Sequence, residues 1–228
     1  MKASAPQKLE LAIANAGSVS ALLDSPPRPR ACFVFAHGAG AGMTHSFMAT
    51  VAQGLAERGI ATLRYQFPYM EKGTKRPDPP PVAHAAVRAA VMEAARRCPG
   101  LPLIAGGKSF GGRMTSQAQA SAPLDGVHGV AFLGFPLHPA GKPSDDRAKH
   151  LADIKIPMLF LQGTRDSLAE LKLLEPVVKR IGRSATLHRV EGADHSFHVP
   201  ARSGRNDAEA MQEILDAFAD WIGAIGAN

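Results

Sequence analysis

The sequence predicts an α/β protein in which a mostly parallel, doubly wound sheet is flanked by helices. Two observations carry this reading. Short apolar runs recur along the chain, lack helical period and end in glycine or a polar turn, as strands buried on both faces do. Helical stripes separate most of them, and strand–helix alternation builds right-handed crossovers and hence a parallel sheet. With 228 residues, 45% hydrophobic and 20% charged, the chain has globular composition. It is read as one domain over residues 1–228.

The elements follow in order. Residues 9–13 and 18–23 read as an antiparallel pair at one edge. After a Pro-rich patch at 25–29, Ala31–Ala36 is apolar throughout. Met43, Phe47, Met48, Val51 and Leu55 form a helical stripe that Gly59 closes. Ile60–Tyr65 is the next strand. Prolines in 77–81 make a helix entrance, and Val82, Ala86, Val87, Ala90, Val91 and Ala94 supply the stripe. Strands are expected at 101–105, Val127–Leu133 and 158–161. Leu168, Leu171 and Leu174 begin a helix that Pro176 is expected to interrupt. Ala185–Val190 is the last strand. Met211, Ile214, Leu215, Phe218, Trp221, Ile222 and Ile225 form the last and clearest helix, with Asn206 as its cap.

Composition excludes several classes. The formal net charge is +6, but the Lys and Arg residues are scattered. The densest stretch, Lys72, Lys75 and Arg76, also carries Glu71 and Asp78, so nucleic-acid binding is not expected. Residues 1–8 lack an apolar leader core, and no run approaches the ~18 apolar residues of a membrane span. Cys32 and Cys98 are too few for a disulfide framework or a Cys-pair zinc site, and they fit a reducing compartment; a cytoplasmic protein is expected. No metal or cofactor is called for, and the expected partner is a small-molecule substrate.

In doubly wound sheets, ligands bind outside the carboxyl ends of the strands. There the expected strand 101–105 runs into Gly107-Lys108-Ser109-Phe110-Gly111. This Gly-x-Ser-x-Gly pattern suits a sharp strand-to-helix turn that exposes a serine in a strained conformation. In a chain with 22 glycines the pentapeptide alone is weak; its position between a strand and a helix makes it specific. Serine needs a base. Among nine histidines, His195 is favoured because it comes first in the turn after the last strand; His198 is the alternative. The orienting acid is read as Asp166, in the turn after 158–161, with Asp194 as runner-up. The order Ser109, Asp166, His195 is the one that accompanies such an elbow.

The developing oxyanion needs two donors. One is the N–H of Phe110, and the other is that of Ala39, or of Gly40, in the small-residue loop that follows His37-Gly38. This loop matches neither phosphate-binding glycine pattern, so nucleotide binding is not expected.

On these residues the sequence resembles the α/β-hydrolase superfamily over residues 31–221. The match rests on His37-Gly38-Ala39-Gly40, the elbow at 107–111, and the segments 163–166 and 192–195. Within it, the chain looks like the small, capless, dienelactone-hydrolase-like proteins. The 37–42 loop, Phe67-Pro68-Tyr69-Met70 and residues 106–113 are similar to a branch that includes a vertebrate testis-expressed protein and a histone-acetyltransferase-complex subunit. The resemblance implies a mostly parallel sheet of about eight strands, no cofactor and acyl-transfer chemistry. Dienelactone hydrolases proper carry cysteine at the elbow, where this chain has Ser109.

The function expected is cleavage of a carboxylic ester or thioester of a small to medium substrate through an acyl-enzyme. The alternatives are amide or short-peptide cleavage, and a non-catalytic interaction module that keeps the fold. Residues 134–156 leave room for a loop and one short helix, not a cap domain, so the site is expected to be open. Segment 65–81 is expected to form its second wall. Lys108, beside the nucleophile, either favours an anionic substrate or joins a structural salt bridge.

Overall fold

Residues 5–226 are described by a computed structural model. Eight strands form one sheet in the order β1-β2-β4-β3-β5-β6-β7-β8. They are β1 Gln7–Ile13, β2 Gly17–Asp24, β3 Ala31–Ala36, β4 Ile60–Tyr65, β5 Leu103–Lys108, β6 Val127–Leu133, β7 Met158–Gly163 and β8 Ala185–Val190. β1 and β2 pair antiparallel at the edge, and β2 pairs antiparallel with β4. The remaining neighbours are parallel. The chain leaves β3 for β4 on one side and reaches β5 on the other, so the topological switch point lies between β3 and β5. A crevice opens there at the strand ends.

Among the described residues the α-helices are α1 Ser46–Glu57, α2 Pro68–Glu71, α3 Pro80–Arg97, α4 Phe110–Ser121, α5 Leu171–Ile181 and α6 Asp207–Ile225. Successive side chains of β3 go to opposite faces. Phe33 and Phe35 join Met48, Val51 and Leu55 of α1 and Ile214, Leu215 and Phe218 of α6 in one core. Cys32, Val34 and Ala36 join Ala86, Val87 and Ala90 of α3 and Met114 of α4 in another. Both faces being covered explains why β3 is apolar at every position. Asn206 caps α6 in a reciprocal capping box with Glu209, which satisfies two of its otherwise unpaired terminal donors.

The elbow strand differs from the sequence reading. It spans 103–108, because Gly106 and Gly107 pair with Phe35 and Ala36 of β3 and with β6. These glycines are ladder residues and not breakers: a Cβ on Gly106 would stand 1.9 Å from the Ala131 carbonyl oxygen. A second correction concerns α5, which starts at Leu171 and runs through Pro176 to Ile181. Burial of Leu174 and Val177, worth roughly 1.5–3 kcal/mol each, outweighs the proline's cost of about 3 kcal/mol. Between β6 and β7 the chain forms a 3-10 helix over Asp146–Asp153 and no cap domain. Among the described residues no helix is long and apolar enough to cross a membrane.

Candidate active site

β5 ends at Lys108 and α4 begins at Phe110, so the turn is made by one residue. Ser109 makes it with φ 49 and ψ −113, a conformation that costs a non-glycine residue about 1–3 kcal/mol. The elbow presses on the end of β3. A Cβ on Gly107 would meet the Ala36 carbonyl oxygen at 2.5 Å, and one on Gly111 would meet the Ala36 and His37 carbonyl oxygens at 2.6 Å each. The first intrahelical bond of α4 runs from the Arg113 N–H to the Ser109 carbonyl at 3.1 Å. The N–H of Phe110, at the helix start, therefore has no partner within the helix.

His195 lies 86 residues from Ser109 in the chain, yet its Nε2 is 2.8 Å from Ser109 Oγ. Its Nδ1 is 2.6 Å from Asp166 Oδ2. A carboxylate only accepts, so Nδ1 carries the proton and the Nε2 lone pair faces the serine hydroxyl. Asp166 is buried. Its Oδ1 accepts from the Leu168 N–H at 2.8 Å, and its Oδ2 also accepts from Gln162 Nε2 at 2.5 Å. These donors fix the carboxylate that orients the imidazole.

The two alternatives lie elsewhere. His198 is exposed and pairs with Asp207 at 2.9 Å; the Asp207 carboxylate holds the imidazole above its ordinary range. Asp194 Oδ1 accepts the N–H groups of Ser196 at 2.8 Å and His198 at 3.0 Å. It shapes the turn that presents His195 and makes no bond to that imidazole. A second serine–histidine pair, Ser116 Oγ and His150 Nε2 at 2.8 Å, sits apart from the crevice. Ser116 is fully buried and donates to the Arg113 carbonyl in its own helix. Burial, with Arg113 nearby, pushes His150 down to about 4.

The loop after β3 is held from behind. His37 Nε2 accepts the Phe67 N–H at 3.0 Å, so its Nδ1–H donates to the Gly38 carbonyl at 2.8 Å. Burial pushes this imidazole down to about 4, which keeps it neutral. The Tyr69 hydroxyl donates to the Ala39 carbonyl at 2.8 Å. Among the described residues neither the Ala39 nor the Gly40 N–H donates to another protein group.

A cavity of about 430 Å³ covers Ser109 and His195. One wall is the loop over Gly38 to Ala41. The lining also includes His45, Phe47 and Met48 at the start of α1, together with Leu168. The expectation that segment 65–81 forms the second wall is therefore corrected. Its aromatic residues Phe67 and Tyr69 pack behind the loop against His37 and Phe110. Lys108 also lines the cavity and forms no ion pair among the described residues; its ammonium donates to the His195 carbonyl. Burial pushes it down to about 8. Among the described residues no cluster of three or more His, Cys, Asp or Glu side chains could hold a metal ion.

Spacing did not reveal Gln162, His37 or Tyr69 as supports of the site, nor the start of α1 as its wall. The traces in the sequence were the His37-Gly38-Ala39-Gly40 and Phe67-Pro68-Tyr69-Met70 motifs.

A serine on a strand–turn–helix elbow, at the switch point of a mostly parallel sheet, is the architecture of the alpha/beta hydrolases. Residues 29–223 match the sequence model of the alpha/beta hydrolase domain, and the chain belongs to that family. Its fold is shared with dienelactone hydrolase from Anabaena variabilis, at 20% identity and a TM-score of 0.76 over 97% of this chain and 99% of that one. An α/β serine hydrolase without lid from Xanthomonas campestris is similar at 19% identity and a TM-score of 0.73, over 97% of each chain. The esterase domain of a Rhodothermus marinus protein is similar at 16% identity and a TM-score of 0.71, over 96% of this chain and 98% of that domain.

Proposed function

We propose that the chain is a serine hydrolase that cleaves carboxylic esters or thioesters of small to medium size. Ser109 attacks the carbonyl while His195 takes its proton. The N–H of Phe110, with that of Ala39 or Gly40, receives the oxyanion. His195 then protonates the leaving alcohol or thiol, and Asp166 stabilises the imidazolium in between. Water, deprotonated by His195, releases the acid from the acyl-enzyme.

The observation that carries the reading is the hydrogen-bonded line from Ser109 through His195 to Asp166, opening on the cavity. A volume of about 430 Å³ lies in the range of small-molecule sites, ~300–1,000 Å³. The esterase and dienelactone hydrolase among the structural neighbours favour ester over amide substrates. Cys32 and Cys98, both buried and unpaired, are in keeping with the cytoplasm.

The test is labelling with a fluorophosphonate probe, located by peptide mass spectrometry, with Ser109→Ala as control. Labelling at Ser109 followed by turnover in an ester and thioester panel supports the reading. A folded protein that neither labels nor turns over any member refutes it and points to an interaction module.

A further inference from the structure

We propose that Lys108 forms an anion-recognising subsite in the catalytic cavity, so that the preferred substrates are esters carrying a carboxylate a few bonds from the scissile carbonyl. This deepens the serine hydrolase reading and rests on it.

Lys108 is the last residue of β5, directly before the nucleophile, and it lines the cavity. Its place is built. The ammonium lies 5.7 Å from the ring centroid of Phe47 and 5.1 Å from that of Phe197. The two rings are nearly parallel, at 9° with centroids 6.1 Å apart. Gly134 leaves the space for it, since a Cβ there would stand 2.9 Å from Lys108 Nζ. The rings attract a cation, and the His195 carbonyl accepts one of its three N–H donors.

What the ammonium lacks is an anion. Asp166 and Asp194 are the acids near enough to act on its charge, and both are engaged elsewhere: Asp166 with His195, Gln162 and the Leu168 N–H, Asp194 with the N–H groups of Ser196 and His198. Among the described residues Lys108 is the only Lys or Arg that lines the cavity, whose other walls include Ala39, Phe47, Met48 and Leu168. A cation in so apolar a setting is costly until paired. Two N–H donors and one positive charge suit a carboxylate brought by the substrate. Burial already weakens the charge, and a bound carboxylate would restore it.

The experiment compares two esters of equal chain length, mono-4-nitrophenyl glutarate and 4-nitrophenyl valerate, in wild-type and Lys108→Met protein. A charge-assisted hydrogen bond is worth about 10- to 100-fold. The glutarate-to-valerate ratio of kcat/KM is therefore expected to fall by about that factor in Lys108→Met. Equal losses on both esters would mean that Lys108 only anchors the His195 loop, and would overturn the subsite; so would an unchanged ratio. Calorimetry on Ser109→Ala protein keeps the test independent of turnover and of whether Lys108→Met folds. Monomethyl glutarate should bind about 10-fold or more tighter than methyl valerate, and equal or reversed affinities overturn the proposal. Hydrolysis of neither ester by wild type, with this binding preference intact, would count against the hydrolase reading and leave the anion subsite standing.

Discussion

The Tyr69 hydroxyl donates to the Ala39 carbonyl across 2.8 Å, and so sets the direction of the next N–H. No peptide among the described residues is cis. In a trans peptide the N–H points opposite to the carbonyl, so the Gly40 N–H is turned away from Tyr69, toward the side where the cavity lies. His37 acts likewise on the Gly38 carbonyl and hence on the Ala39 N–H. Both carbonyls are bonded from behind, and both N–H groups are left without a protein acceptor among the described residues, as the proposed oxyanion site requires.

Tyr69→Phe removes one of these bonds and little else. A hydrogen bond of 0.5–1.5 kcal/mol corresponds to about a 2- to 10-fold slower reaction of Ser109 with a fluorophosphonate. The fall is expected in the rate constant more than in apparent affinity. A wild-type rate in a folded Tyr69→Phe protein would show that the hydroxyl does not set this loop.

Ser109 separates catalysis from stability. Ser109→Ala should remove turnover by a factor on the order of 10⁶ and retain the φ of 49. Ser109→Gly should lose turnover equally, yet relieve the backbone by roughly 1 kcal/mol or more relative to Ser109→Ala. Urea midpoints of the two variants measure the difference; equal midpoints would mean that the elbow holds no strain.

The two histidines of one loop should behave differently. His195→Ala is expected to abolish turnover nearly as far as Ser109→Ala does. His198→Ala removes an exposed pair with Asp207, which contributes little, and should stay within a few-fold of wild type. Asp166→Asn should cost on the order of 10⁴ in kcat by presenting the wrong imidazole tautomer. Steady-state kinetics on a single ester rank all three, and a dead His198→Ala would reassign the base.

His37 predicts how stability depends on acid. Its folded value of about 4 lies below the ordinary 6.5, so the unfolded chain binds the proton first. The stability it contributes is complete above about pH 6.5 and declines as pH falls toward 4, by up to roughly 3 kcal/mol. Buried His150 acts in the same direction. Urea unfolding of wild type and His37→Gln at pH 7 and pH 4.5 isolates the His37 part; the variant should lose less stability between the two. Equal losses would mean that His37 titrates normally in the folded protein.

Some of this was readable from spacing. β3, β4, β6 and β8 ended where their runs end; in β3 burial on both faces leaves no polar position, and in the others a turn marks the end. Ser109 follows β5 directly, and Asp166 and His195 lie in the turns after β7 and β8, so their places near the strand ends followed from the order of elements. Gly106 and Gly107 misled at β5: glycine usually breaks a strand, and here it is demanded by carbonyls of neighbouring strands. Pro176 misled at α5 because its local cost is visible in the sequence and the burial of Leu174 and Val177 is not.

By itself the sequence determined the parallel layering, the elbow and the order of Ser109, Asp166 and His195 along the strand ends, since these depend on hydrophobic period and local turn chemistry. The tertiary structure alone decided between His195 and His198 as the partner of Ser109, and between Asp166 and Asp194 as the partner of that histidine. It also decided that Tyr69 and His37 hold the loop after β3, that α1 walls the cavity, and that Lys108 stands there without an anion. Each of these is a contact between segments far apart in the chain. Such contacts depend on how layers pack and which way a side chain turns, and period and spacing do not encode either.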